Sequence, residues 1–248
     1  MLKEQYHMSA SNPKKAAKDT IDFAMKKTWH ARYSWIWGTC RPSWGEVLER
    51  YPHLNMSDHV KEDYIRLRYV WKNLSEYLAS GKATRLVDMC KEKKMEYKGE
   101  KRPAKEAKKD IDLMRESAAS RGEDGEVWAA IACIPYLAKE DPLFWICEKP
   151  LGNGQPCVVV RNPGTGSANV TFEPYLDAQR LCPEESLGLE KCFEVLIQAI
   201  HLVGAQFTMK TRKSWWLVCE TMLGVREKGS TSHLSSPFRV LHGLVETA

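Results

Sequence analysis

The stretch that most constrains this chain lies between positions 183 and 203. In PEESLGLEKCFEVLIQAIHLV the apolar residues fall on nearly every side of a helix, leaving one narrow polar stripe at Glu190, Lys191, Glu194, Gln198 and His201. A helix of that kind has to be enclosed by other elements rather than laid on a surface. The expected fold is therefore built around 183–203. A second apolar run, VWAAIACIPYL at 127–137, reads as another buried helix. It is far short of the ~20 residues that span a bilayer, and Pro135 interrupts it.

The remaining elements are amphipathic and arrange themselves around that core. Asn12-Pro13 supplies an N-cap followed by Pro at the first helical position, predicting a helix toward Trp29 with a buried stripe at Ala17, Ile21, Ala24 and Thr28. Ser43 and Glu46 have capping-box spacing, so a short helix runs to Tyr51 and stops at Pro52. Val60, Tyr64, Leu67, Trp71, Leu74 and Leu78 alternate steps of four and three, which predicts one long helix over 57–80. Further helices are expected over 82–96 and 104–119, the second with a stripe at Ala104, Ala107, Ile111, Met114 and Ala118. Between them YKGEKRP reads as a polar loop.

After SRGEDG at 120–125 the character changes. LFWICE (143–148) and PCVVVR (156–161) flank LGNGQ, which has hairpin chemistry, and ANVTFE (168–173) makes a third strand after the PGTGS turn. Helical pieces at 214–223 and 237–246 close the chain. The fold class is α+β, predominantly α-helical, with a small antiparallel β-hairpin or three-stranded sheet in the second half. The domain reading is a basic helical region over 1–121 and an α+β region over 122–248, or one continuous domain.

Charge divides along the same line. Residues 1–121 hold 26 Lys and Arg against 17 Asp and Glu, net +9, and residues 122–204 hold 5 against 12, net −7. Such asymmetry points the first half toward an anionic partner, nucleic acid (RNA ahead of DNA) or an acidic membrane surface. The densest basic segment, KEKKMEYKGEKRPAKEAKK at 91–109, carries nine cations against four Glu. Phosphate contacts require flexible cations on an exposed face. The candidate anion-binding residues are therefore Lys91, Lys93, Lys94, Lys98, Lys101, Arg102, Lys105, Lys108 and Lys109.

Tryptophan is the other unusual feature. Trp29, Trp35, Trp37 and Trp44 crowd into sixteen positions. Clustered indoles mark cores, interfaces or platforms on which bases stack. Arg32, Trp35, Trp37 and Trp44 form the candidate stacking or partner-binding patch. The same stretch holds two Trp-Gly dipeptides, Trp37-Gly38 and Trp44-Gly45. Tandem Trp-Gly pairs resemble the hooks by which some proteins, certain viral silencing suppressors included, dock Argonaute; that resemblance implies a protein-interaction antagonist acting through 29–45.

The chemistry-bearing residue types give no catalytic, metal or cofactor assignment. Eight cysteines are spread without a CxxC pair. Cys147 and Cys157, like Cys182 and Cys192, are ten apart, whereas zinc knuckles use spacings of roughly two to four. PGTGS and GNG lack the Lys-Ser/Thr of a phosphate-binding loop. A Cys/His hydrolase is the third reading, since such partners meet in space rather than in sequence. The N-terminus has no apolar stretch of signal-peptide type, so a cytoplasmic or nuclear location and reduced thiols are expected. The leading expectation is a non-enzymatic binding or assembly protein, of viral matrix-like or accessory type, with protein contacts through the second half and self-association as a further option.

Overall fold

The computed structural model describes residues 15–38, 41–67, 73–79, 81–92, 96–97, 100–101, 104–152, 154–162, 170–205, 207 and 210–222. It is a predominantly helical α+β fold with a small four-stranded mixed sheet in the second half. The expected helix at 237–246 lies outside the described residues.

The first helices are α1 (Lys15–Lys27), α2 (Trp29–Ile36) and α3 (Trp44–Arg50). A 3-10 turn (Pro52–Asn55) leads into α4 (Ser57–Arg66), α5 (Leu74–Leu78) and α6 (Lys82–Glu92). The short strands β1 (Glu96–Tyr97) and β2 (Glu100–Lys101) pair antiparallel where a loop was expected. Then come α7 (Ala104–Arg121) and α8 (Gly125–Ala138). The sheet strands are β3 (Ile146–Cys147), β4 (Cys157–Arg161), β5 (Thr171–Leu176) and β6 (Gln179–Arg180). The last helices are α9 (Leu189–Val203) and α10 (Arg212–Trp216), which continues as a π-helical turn, Leu217–Met222.

Both all-round apolar helices sit where their composition requires. In α8 every residue from Val127 to Ala138 is buried, and it packs chiefly between α6 and α7. In α9 the buried set runs from Cys192 to Val203, against α4 on one side and β5 on the other. One cluster of buried apolar side chains extends from Ile21 to Cys219, so both charge regions contribute to it.

Carboxylates of the acidic region reach back and cap helices of the basic one. Asp177 Oδ2 accepts from Trp44 N at 2.8 Å at the start of α3. Glu185 takes Ser57 N at 2.7 Å at the start of α4, and Glu194 takes Leu74 N at 3.0 Å at the start of α5. First-turn N–H groups have no partner within their own helix and carry positive charge, so an acceptor carboxylate is stabilising there. Part of the negative charge of 122–204 is thus used inside the fold.

Those caps explain where the expected elements are interrupted. The long helix over 57–80 is broken: Asn73 is extended (φ −72°, ψ 137°), and α5 begins afresh under Glu194. The helix expected from Pro183 starts only at Leu189, because Glu185 is held over α4 and Leu187 bridges Phe172 of β5. The expected hairpin at LGNGQ is also corrected. β3 and β4 run parallel, Ile146 opposite Val158, so the chain doubles back before entering β4. At Gly154 (φ +71°) it passes close to the β5–β6 turn, where Asp177 N donates to Gly154 O at 3.1 Å. β4 and β5 are antiparallel, with Val159 opposite Glu173, and β6 extends the sheet past the three strands expected.

Candidate nucleic-acid interface

The basic segment 91–109 spans the end of α6, the β1–β2 ribbon and the first turns of α7. Lys91 is exposed, 3.8 Å from the more exposed Asp88, a surface pair that holds it weakly. Lys108 and Lys109 are exposed on α7, opposite the buried Ala107, Ile111, Met114 and Ala118. Lys101 falls in β2 and Lys105 in the first turn of α7; their side chains are outside the described residues, as are Lys93, Lys94, Lys98 and Arg102 altogether.

The Trp-rich segment is reorganised relative to expectation. Arg32 is not a surface cation: it is wholly buried, its Nε and Nη2 forked onto the Asp63 carboxylate at 2.7 to 3.0 Å and its Nη1 donating to Met25 O at 2.8 Å. Burial pushes the Asp63 carboxyl above its ordinary range, against the pull of the Arg32 and Arg66 guanidiniums. Trp44 is likewise fully buried, so neither Arg32 nor Trp44 offers a face to a partner, and the second Trp-Gly pair begins inside the core. Its position follows from the capping box: Ser43 Oγ accepts from Glu46 N and Glu46 takes Ser43 N at 2.8 Å, which turns Trp44 inward. Trp35 is half-buried, edge-on to Tyr51 at 5.7 Å and covered by the Arg50 guanidinium at 4.7 Å.

Trp37 does reach the surface, in company that sequence reasoning passed over. The backbone ladder runs on through Thr28, whose N donates to Ala24 O and whose O accepts from Arg32 N, so α1 and α2 share one continuous outer face. On that face Phe23 is 61% exposed and Tyr33 and Trp37 are each 40% exposed, with a half-buried Trp29 between. Trp29 and Tyr33 lie 5.4 Å apart and Tyr33 and Trp37 6.2 Å apart, by ring centroids. Lys26, Lys27 and His30 are exposed on the same face, Lys27 Nζ standing 5.4 Å over the Phe23 ring. The signal was present as a step of four from Trp29 to Tyr33 to Trp37, complementary to the buried steps Ile21, Met25, Arg32 and Ile36.

No family model, curated protein or solved structure matches the chain.

Other chemistry in the described residues is internal. The seven described cysteines are buried. The hydrogen bond with Cys157 and then burial push the Cys147 thiol up, the same bond lowers Cys157, and burial raises Cys182 and Cys192. Cys147, Cys182 and Cys192, held protonated, are poor nucleophiles. No group of three or more His, Cys, Asp or Glu among the described residues is placed to hold a metal ion. A cleft of about 160 Å³ opens beside Asp110, Met114, Leu143 and Cys147, below the size usual for a small-molecule site. Among the described residues no helix is long and apolar enough to cross a membrane.

Proposed function

We propose that this chain is a non-enzymatic binding or assembly protein that contacts nucleic acid, RNA in the first instance, through the cations of its first half. A division of labour among those cations supports the reading. Arg32, Arg66, Arg115 and Arg121 each pair with a carboxylate of the fold. Lys18, Lys26, Lys27, Lys108 and Lys109 are exposed, and none of them forms an ion pair with a described residue. With Asp177, Glu185 and Glu194 of the acidic region turned inward to cap helices, these lysines are left to meet phosphate. Phosphate neutralisation releases counterions, so binding of this type weakens linearly on a log–log salt plot.

The test is fluorescence anisotropy of a labelled generic RNA across a salt series, for the wild-type chain and K108E/K109E. The expected slope is about −0.7 per phosphate contacted, flattened by about 1.4 in the charge-reversed variant, which removes two contacts. Absence of binding, or an affinity indifferent to salt, refutes the proposal. An acidic membrane surface is the competing anionic partner, and vesicles containing phosphatidylserine form the second arm.

A second reading, docking of a protein through the Trp-rich segment, is favoured by one observation. Trp37-Gly38 is exposed, and Gly38 is required there because a Cβ would stand 2.9 Å from Ser34 O. Under that reading W37A abolishes capture of the protein partner while K108E/K109E leaves it intact.

A further inference from the structure

We infer that the ring series Phe23, Trp29, Tyr33 and Trp37, with Lys26, Lys27 and His30 beside it, is a stacking platform for single-stranded nucleic acid. This rests on the anion-binding reading above and narrows it to one face and one kind of strand.

Three features of the face carry the inference. The rings form a track of roughly 20 Å along the α1–α2 axis, by helical rise from position 23 to 37. They are tilted by 33° and 36° to their neighbours, which keeps them from closing face to face on one another. The cations stand among the rings rather than apart from them, so a base on a ring brings its phosphate within reach of Lys26, Lys27 or His30. This is the combination that single-strand grooves use, in which base stacking on an aromatic contributes about 1–3 kcal/mol per base whatever the base. The acids on the same stretch are few: Asp19 is exposed, and Asp22 is engaged by His59 Nε2 at 2.9 Å.

The platform is also held in place from behind. Ile21, Met25, Arg32 and Ile36 are buried beneath it, and the Arg32 guanidinium lies 6.0 Å from the Trp29 ring centre. Trp37 rests on the end of α9, where Gly204 (φ +64°) leaves it room; a Cβ at that position would meet Trp37 Cη2 at 3.1 Å. Rings fixed before the ligand arrives lose little rotamer entropy on binding.

The alternatives fit less well. Duplex bases are already stacked and must be unstacked, at a few kcal/mol per step, before a ring can meet them. A helix lying in a bilayer interface needs its apolar face free to insert. Here the apolar face of α1 and α2 is already buried in the core, and the outer face interrupts its rings with Lys26, His30 and Ser34.

The experiment compares a labelled oligouridylate, an RNA duplex of the same length, and phosphatidylserine vesicles. The proteins are the wild-type full chain, Y33L/W37L and K108E/K109E, with thermal melts establishing that each variant folds. Leucine keeps apolar bulk at 33 and 37 but removes the π face. Expected are preference for the single strand over the duplex, quenching of Trp emission on binding, and about a tenfold or greater loss of single-strand affinity in Y33L/W37L with the salt slope unchanged. K26E/K27E repeats the test without touching a ring and should lower affinity with a shallower salt slope. If the single strand binds but Y33L/W37L binds it as well as wild type, or if duplex binds equally, the platform is refuted and the broader anion-binding reading stands. If only vesicles bind, or nothing does, both fall.

Discussion

Glu185 holds Ser57 from 128 residues away in sequence, one carboxylate oxygen accepting the backbone N–H at 2.7 Å and the other the hydroxyl at 2.5 Å. Ser57 opens α4, the helix that packs on the central α9, so this contact fixes the entry of a first-half helix with a residue of the acidic region. An N-terminal cap of this kind contributes about 1 kcal/mol. E185A should lower the denaturant midpoint by an amount corresponding to that value with the m-value unchanged. Adding S57A should cost much less than it does alone, because the hydroxyl bond it removes is already gone in E185A, while S57A alone keeps the backbone bond to Glu185. Strict additivity of the two would show that the cap is not a unit.

Arg32 and Asp63 form a buried pair whose two members are unequally replaceable. Each is at most 2% exposed, and the guanidinium engages the carboxylate through two nitrogens. Removing Asp63 leaves the Arg32 charge buried without its carboxylate, at about 3–5 kcal/mol, whereas R32A leaves Asp63 a second partner, Arg66 Nη1 at 2.7 Å. D63A should destabilise the chain by that order in urea unfolding, and R32A by less. A replacement of both by apolar residues should recover much of the loss. Were R32A to leave stability intact while weakening RNA affinity, Arg32 would return to the interface from which its burial removes it.

How much of this was legible in the sequence depends on whether the deciding interaction was local. The α7 stripe from Ala107 to Ala118, the Ser43–Glu46 capping box and the enclosure of 127–137 and of α9 follow from spacing within a few residues, and the structure has them as expected. The break near Asn73 and the late start of α9 were not legible, because each is set by a carboxylate–backbone contact that spans more than a hundred residues. Arg32 was misplaced because residue type was weighed above its position: it continues the steps from Ile21 and Met25 to Ile36, and a cation on a buried stripe implies a buried acid. The β5–β6 turn was missed because Asp177-Ala178 contains no glycine, although both residues adopt positive φ, 51° and 60°.

That turn yields a prediction of its own. Alanine in the left-handed region costs roughly 1–2 kcal/mol, which glycine avoids at the expense of some unfolded-chain entropy. A178G should therefore stabilise the chain by about 0.5–1 kcal/mol, seen as a higher melting temperature. No change, or a fall, would mean that the Ala178 backbone is not held at that positive φ in solution.

Glu140 links the end of α8 to the start of α10. Its carboxylate accepts from Lys213 N at 2.9 Å, Ser214 N at 2.8 Å and Ser214 Oγ at 2.6 Å. Burial raises its proton affinity above the ordinary carboxylate value of 4.5, and those three donors only partly offset it. A carboxyl raised in the fold contributes stability that is fully present below its unfolded-state value and is lost as pH climbs through the raised value. The stability difference between wild type and E140Q should accordingly shift against wild type as pH rises from about 4 toward neutrality. A difference that is flat, or that moves in favour of wild type, contradicts the sign.

Gln198 separates structural from functional polarity in α9. It is wholly buried, and neither its Oε1 nor its Nε2 has a hydrogen-bond partner among the described residues. Its neighbours on the polar stripe are employed: Glu194 caps α5, and the His201 ring is hydrogen-bonded to Ile197 O at 2.8 Å. A buried amide without a partner costs about 1–3 kcal/mol, whereas an apolar group of the same shape costs nothing of that kind. Q198M nearly conserves volume, so it should raise stability by about 1 kcal/mol and leave RNA affinity and its salt slope untouched. Destabilisation by Q198M would mean that the amide is satisfied in solution by a partner the fold conceals. A loss of RNA binding at unchanged stability would move the functional site from the α1–α2 face into the core, contrary to every exposed cation and ring on which the present reading stands.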